Sequence, residues 1–273
     1  MIFFPNCKIN LGLHILSRRE DGYHNIETVM IPVPLKDVLE LIPSTAGETR
    51  LFTSGNKVDC PAEKNLVMKA YRAVKGIFPT LPPTDIYLRK IIPDGAGLGG
   101  GSSDASFTIT GLNKLYNLRM PDKMMEEIAA GIGADCPFFI KNRSALATGT
   151  GTDLKPIDSP LKPGTVIMLA KPDESVSTKE AYEGITPDCS RPSIMDAITE
   201  PVTEWKDRII NDFEKTVGRQ IPEILEFKRF FLEHGAAYAA MSGSGSAVYG
   251  IFPEYDGNIP ENVILENIIK LRI

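Results

Sequence analysis

Residues 95–101 read Gly-Ala-Gly-Leu-Gly-Gly-Gly, so six of seven positions are glycine or alanine. Glycine loses the most backbone entropy on ordering, so such a run belongs to a loop rather than to a strand or helix interior. The loop is bracketed. Asp85–Ile92 before it predicts a strand, and Phe107, Ile109, Leu112, Leu115 and Tyr116 after it lie roughly along one face of a predicted helix. Strand, glycine loop and helix together bring backbone N–H groups and the positive end of a helix onto one spot, which suits an anion. Ser102 and Ser103 add hydroxyl donors, and Leu98 anchors the loop from within.

The kind of phosphate loop is narrowed by what surrounds it. Gly95, Gly97 and Gly100 satisfy G-x-G-x-x-G. A dinucleotide site also needs a second parallel strand and an acidic residue ~20 positions on. That place falls near Asn117–Met120, which lacks both. A Walker loop needs lysine after its last glycine, and Ser102 follows Gly101. Positive charge near a phosphate must therefore come from elsewhere in the chain or from a metal ion.

Elsewhere Lys8–Ile15 alternates strictly, predicting a strand with one buried face and with Lys8 and Asn10 together on the other. Strands are also expected at 26–33, 38–42, 50–53, 166–170, 237–241 and 247–252. Helices are expected at 65–78, at 194–199, around 207–216 and at 222–234, with Asp122 as the N-cap of a further short one. The apolar run after Asp135 reads as a strand. A lobe boundary is placed near Lys155, giving lobes 1–155 and 156–273.

At 273 residues the chain can bury a core without metal or disulfide staples. A formal net charge of -5 gives no basic excess, so no nucleic-acid partner is expected. Cys7, Cys60, Cys136 and Cys189 have no metal-ligand spacing and read as free thiols in a reducing cytoplasm. No apolar run approaches a membrane span, and the apolar start lacks the charged region of a secretory signal.

Three segments carry a resemblance. Pro93–Ala105, residues 7–13 (CKINLGL) and residues 241–250 (MSGSGSAVYG) resemble, in order and spacing, the three motifs of the galactokinase–homoserine kinase–mevalonate kinase–phosphomevalonate kinase superfamily. Asp21-Gly22-Tyr23-His24 and residues 131–139 (GIGADCPFF) resemble the branch whose acceptor is a cytidylyl methylerythritol. Cys7 and Ser106 depart from the usual alanines.

The resemblance implies an α+β fold, a two-lobed α/β sandwich with its active site in the cleft between lobes, and phosphorylation of a C2 hydroxyl from ATP. It implies that Pro93, Asp94, Gly95, Ala96, Gly97, Leu98, Gly99, Gly100, Gly101, Ser102 and Ser103 hold ATP phosphates, with Asn65 and Lys90 near the adenine or phosphates. It implies Asp135 as general base and Lys8 as its charge partner. Asn10, Tyr23, His24, Thr178 and Tyr182 would bind the acceptor, Tyr23 and Tyr182 stacking on cytosine and His24 bonding its edge. Mg²⁺ would accompany ATP, held mainly through phosphates, so no protein ligand is named. The expected partner is a small molecule, and the expected state a monomer or weak homodimer. Other readings are a homoserine or mevalonate kinase, a regulator without turnover, and a nicotinamide oxidoreductase.

Overall fold

The computed structural model describes residues 1–58, 60–255 and 268–273. Part of the expected second lobe, residues 256–267, lies outside the described residues. In chain order the strands are β1 Ile2–Phe3, β2 Asn6–Arg18, β3 His24–Lys36, β4 Val38–Pro43, β5 Arg50–Gly55, β6 Thr84–Lys90, β7 Ala145–Thr148, β8 Asp153–Pro156, β9 Val166–Ala170, β10 Tyr238–Met241, β11 Val248–Phe252 and β12 Ile268–Arg272. The helices are α1 Leu66–Ile77, α2 Gly100–Leu115, α3 Asp122–Ala130, α4 Cys136–Lys141, α5 Thr178–Tyr182, α6 Ile194–Ile198, α7 Glu214–Gln220 and α8 Glu223–Glu233. The fold is α+β.

Packing divides the chain into two compact units that exchange segments. One holds 1–7, 35–94 and 99–143; the other holds 8–34, 95–98 and 144–273. In the first unit, the sheet order is β1-β4-β6-β5, with β5 parallel to β6 and the other pairs antiparallel. Leu39, Leu41, Ile86 and Leu88 point from this sheet into a core shared with Val67, Val74, Ile109 and Leu112 of the helices. The second unit is built on β10-β11-β9-β12 and on the sheet ordered β2-β3-β7-β8. Its core gathers Val166, Met168, Val248 and Phe252 with Phe213, Val217 and Phe231.

Four local expectations are corrected. The polar face of β2 is not solvated: Lys8, Asn10 and His14 are buried along with Ile9 and Leu11. Residues 136–141 form a helix, not a strand, because Pro137 stands in its first turn and Asn142 closes it at φ 50. Pro121, not Asp122, holds the N-cap of α3. Residues 207–213 are not helical. Asp207 has φ 63, and Leu13 and Asn211 form a lone bridge, so α7 starts at Glu214.

Candidate active site

In the first unit, β6 ends at Lys90 and α2 begins at Gly100. Gly99 caps α2 in the left-handed region, φ 69, and offers no side chain to the first-turn N–H groups. Those donors are the ones a phosphate can take. Ser102 and Ser103 lie in this turn. Ser103 is buried, and its Oγ has no hydrogen-bond partner among the described residues. Pro93 is half-buried and Asp94 exposed.

A cavity of about 180 Å³ opens in the same unit, lined by Cys60, Asn65, Lys90, Asp94, Gly101 and Asp104 among others. It brings together four of the expected ATP residues. Asn65 caps α1, its side-chain oxygen accepting from Val67 N–H at 3.0 Å. Lys90 Nζ donates to Asp104 at 2.7 Å and to Asp37. Asp37 also accepts from the N–H groups of Ile91 and, at 2.8 Å, Ile92, holding the start of the loop. Burial works against the Lys90 charge, but the two carboxylates outweigh it and hold the ammonium above its usual range. Burial pushes Asp104 up to about 7, against the opposing pull of Lys90. Its Oδ1 has no partner among the described residues.

Asp135 stands half-buried at the N-cap of α4 and makes no capping bond with its side chain. The Cys136 thiol beside it is fully buried, and burial pushes its pKa up to about 11, so it packs rather than reacts. Ser106, one of the departures from the family pattern, donates to the carbonyls of Ser102 at 2.9 Å and Cys136 at 2.6 Å.

In the second unit, Lys8 Nζ donates to Gly97 O at 2.9 Å and to Asn10 Oδ1 at 2.5 Å. Asn10 Nδ2 donates in turn to Thr28 Oγ1 at 3.0 Å. Gly97 O also accepts from Ser242 Oγ at 3.0 Å, and Ala96 O accepts from Ala247 N–H at 3.1 Å. The stretch 95–98 is thus fixed to β2 and to the second glycine-rich turn. Gly97 has φ +72, and a Cβ there would run into the Ser242 carbonyl.

The hairpin between β2 and β3 turns at Gly22, with Arg19 N–H bonded to Tyr23 O at 2.8 Å. Tyr23 is 67% exposed. His24 stacks on Tyr182, ring centroids 4.7 Å apart and planes 13° apart, and Tyr182 meets Phe213 edge-on. It is His24, not Tyr23, that the structure pairs with Tyr182. Partial burial, with Arg18 assisting, lowers the His24 pKa, so the imidazole is neutral near pH 7, with one donor and one acceptor. Tyr182 ends α5, whose Ser177 and Glu180 form a capping box, and Thr178 Oγ1 lies 3.2 Å from Ser244 Oγ.

Residues 65–143 match the GHMP kinases N terminal domain family, and residues 194–263 match GHMP kinases C terminal. A 4-diphosphocytidyl-2-C-methyl-D-erythritol kinase of Parabacteroides distasonis is 50% identical over 253 residues, 92% of each chain. The chain belongs to the GHMP kinase family. A crystal structure of a 4-(cytidine 5'-diphospho)-2C-methyl-D-erythritol kinase aligns with this GHMP kinase at TM-score 0.77 and 32% identity, covering 92% of this chain and 90% of the other. The Methanococcus jannaschii mevalonate kinase aligns at TM-score 0.74 but 12% identity, over 100% and 98% of the two chains, and shares the fold.

As a GHMP kinase the protein is an ATP-dependent phosphotransferase, which sets aside the oxidoreductase reading of Gly95–Gly100. Sequence reasoning missed Asp37, Asp104, Thr28 and Ser242 as members of the polar networks around the loop. Ser242 carried a signal, being part of the SGSGS turn, and Asp104 stood within the loop's own flank. Nothing marked Asp37 or Thr28. No helix among the described residues is long and apolar enough to cross a membrane.

Proposed function

We propose that this GHMP kinase transfers the γ-phosphoryl group of ATP to the C2 hydroxyl of 4-diphosphocytidyl-2-C-methyl-D-erythritol, giving the 2-phosphate and ADP on the non-mevalonate route to isoprenoid precursors. The observation that carries the reading is full-length similarity, at half identity, to a relative named for that acceptor. The aromatic group of Tyr23, His24 and Tyr182 supports it, because stacking faces and a neutral imidazole suit a cytosine.

The bond from the C2 oxygen to the γ-phosphorus forms as the bond to the β,γ-bridging oxygen breaks. Asp135 takes the hydroxyl proton, and Lys8 steadies negative charge on the acceptor or the transferring group. Because Asn10 is already bound to Lys8 and Thr28, its part is to hold the lysine as well as to meet the polyol. The N-terminal turn of α2 with Ser102 and Ser103 holds the phosphates, and the cavity with Asn65, Lys90 and Asp94 takes the nucleoside end. Mg²⁺ would accompany ATP, held mainly by phosphate oxygens, and Ser103 Oγ, buried without a hydrogen-bond partner among the described residues, would be a protein oxygen able to meet it. When bound, the ion neutralises charge on the β- and γ-oxygens. The protein acts in a reducing cytoplasm on this reading, with which its free thiols are in keeping.

The test is incubation with ATP, Mg²⁺ and the cytidylyl acceptor, with homoserine and mevalonate in parallel, followed by ADP release and phosphorus NMR. A new phosphomonoester on the cytidylyl acceptor alone is expected. Transfer only to another acceptor overturns the reading of Tyr23, His24 and Tyr182. ATP binding without transfer to any acceptor favours a regulator.

A further inference from the structure

Among the four thiols, Cys7 and Cys136 are fully buried, while Cys60 and Cys189 are exposed. The two exposed thiols differ in place. Cys60 lines the 180 Å³ cavity of the first unit, alongside Lys64, Asn65, Lys90 and Asp104, whereas Cys189 is not among its lining residues. A second observation marks this cavity as a ligand site. Asp104, which also lines it, is 1% exposed and has an oxygen without a hydrogen-bond partner among the described residues. A buried acceptor of that kind is costly unless a ligand donor or water meets it.

We propose that Cys60 is a modification site at the nucleotide cavity, open to low-molecular-weight disulfides in the ATP-free enzyme, shielded by bound ATP, and able to exclude ATP once modified. The inference rests on the reading of this cavity as the place of the ATP nucleoside end. The chemistry is thiol–disulfide exchange. Cys60 loses its thiol proton to water, and the thiolate attacks one sulfur of the disulfide. That S–S bond breaks, a mixed disulfide forms on Cys60, and the other half leaves as a thiolate. Cys60 is oxidised and the leaving half is reduced, so no further oxidant is needed. The modification is reversed by a dithiol.

The test uses the whole enzyme and dithiodipyridine, with the labelled cysteines mapped by mass spectrometry without reduction. ATP binding is measured on the same preparation by calorimetry. Cys60 and Cys189 are expected to label. ATP with Mg²⁺ at a hundred times its Kd should slow Cys60 by ~100-fold, because only that fraction of sites stays open, and leave Cys189 unchanged. The labelled enzyme should lose ATP binding and regain it with dithiothreitol. Cys189→Ser should remain sensitive to the reagent, while Cys60→Ser, measured against its own untreated rate, should not. Calorimetric ATP binding with no protection of Cys60, or ATP affinity unchanged by its labelling, overturns this inference and leaves the kinase reading standing. Absence of any ATP binding overturns the nucleotide reading itself.

Discussion

Lys90 and Asp104 form an ion pair at 2.7 Å in which both side chains are shielded from water, and Asp37 closes on the same ammonium. The three groups come from the end of β6, the first turns of α2 and the link between β3 and β4, so they frame both ends of the chain that enters and leaves the loop. Lys90→Met would strand two buried carboxylates. Urea unfolding should show a loss of about 3–5 kcal/mol, as for other broken buried pairs, and a change within error would mean that the pair is dispensable. Asp104 adds a pH dependence. Its folded-state pKa, about 7, lies above the ordinary 3.8, so the folded protein binds more protons between those values and loses stability as pH rises toward 7. Asp104→Asn should remove that downward slope while keeping the Lys90–Asp37 pair.

Asp135 carries the proton transfer in the proposed reaction. Asp135→Asn should lower kcat by ~10²–10⁴ while the calorimetric affinity for ATP stays close to that of the native enzyme. Native turnover in the variant would take Asp135 out of the mechanism.

The acceptor side is tested by splitting the two KM values. Tyr23→Ala and Tyr182→Ala should each raise the KM for the cytidylyl acceptor by ~5- to 150-fold, the range of a lost base stack, and leave that for ATP near its native value. Loss of ATP affinity instead would put cytosine elsewhere. Because the His24 pKa is lowered, acidification below 6.5 is needed to protonate it. The acceptor KM should therefore rise only on the acid side of that value, and His24→Gln should flatten the rise.

His14 is 2% exposed, and neither ring nitrogen has a partner among the described residues. Burial lowers its pKa below 6.5, Asp212 opposing and Arg191 adding to the effect, with Glu27 and Asp188 also near. The unfolded chain takes up the proton that the folded one refuses, so this residue costs stability as pH falls through 6.5. His14→Leu should leave Tm at pH 8 unchanged or higher, since an unpaired buried donor is removed. It should also protect against unfolding at pH 5. A lower Tm at both values would mean that the imidazole is bonded in solution.

Much of this was readable from local pattern. The glycine run between a strand pattern and a helical period located β6 and the end of α2 to within two residues, while α2 itself starts at Gly100, inside the run that read as loop. The helix expected at 65–78 matches α1 to within a residue at each end. What escaped depends on contacts between distant residues. A lysine on an alternating strand reads as solvated, and only the Gly97 carbonyl and the Asn10 side chain reveal why Lys8 can be buried. The run Cys136–Lys141 is too short for its period to separate strand from helix. The β7–β8 hairpin was missed because neither strand exceeds four residues. A boundary drawn once along the chain, near residue 155, falls between the two family segments, whereas packing weaves four crossings into the chain before residue 99 and one more after residue 143. Asp37 had no sequence signal, since its value lies in where β6 ends.

The contact of Gly97 with the Ser242 turn spans 145 positions of sequence yet leaves no room for a methyl group. The two glycine-rich segments are therefore one heritable unit rather than two interchangeable cassettes. A phosphate loop transplanted from a relative would be expected to work only when it arrives with its matching turn.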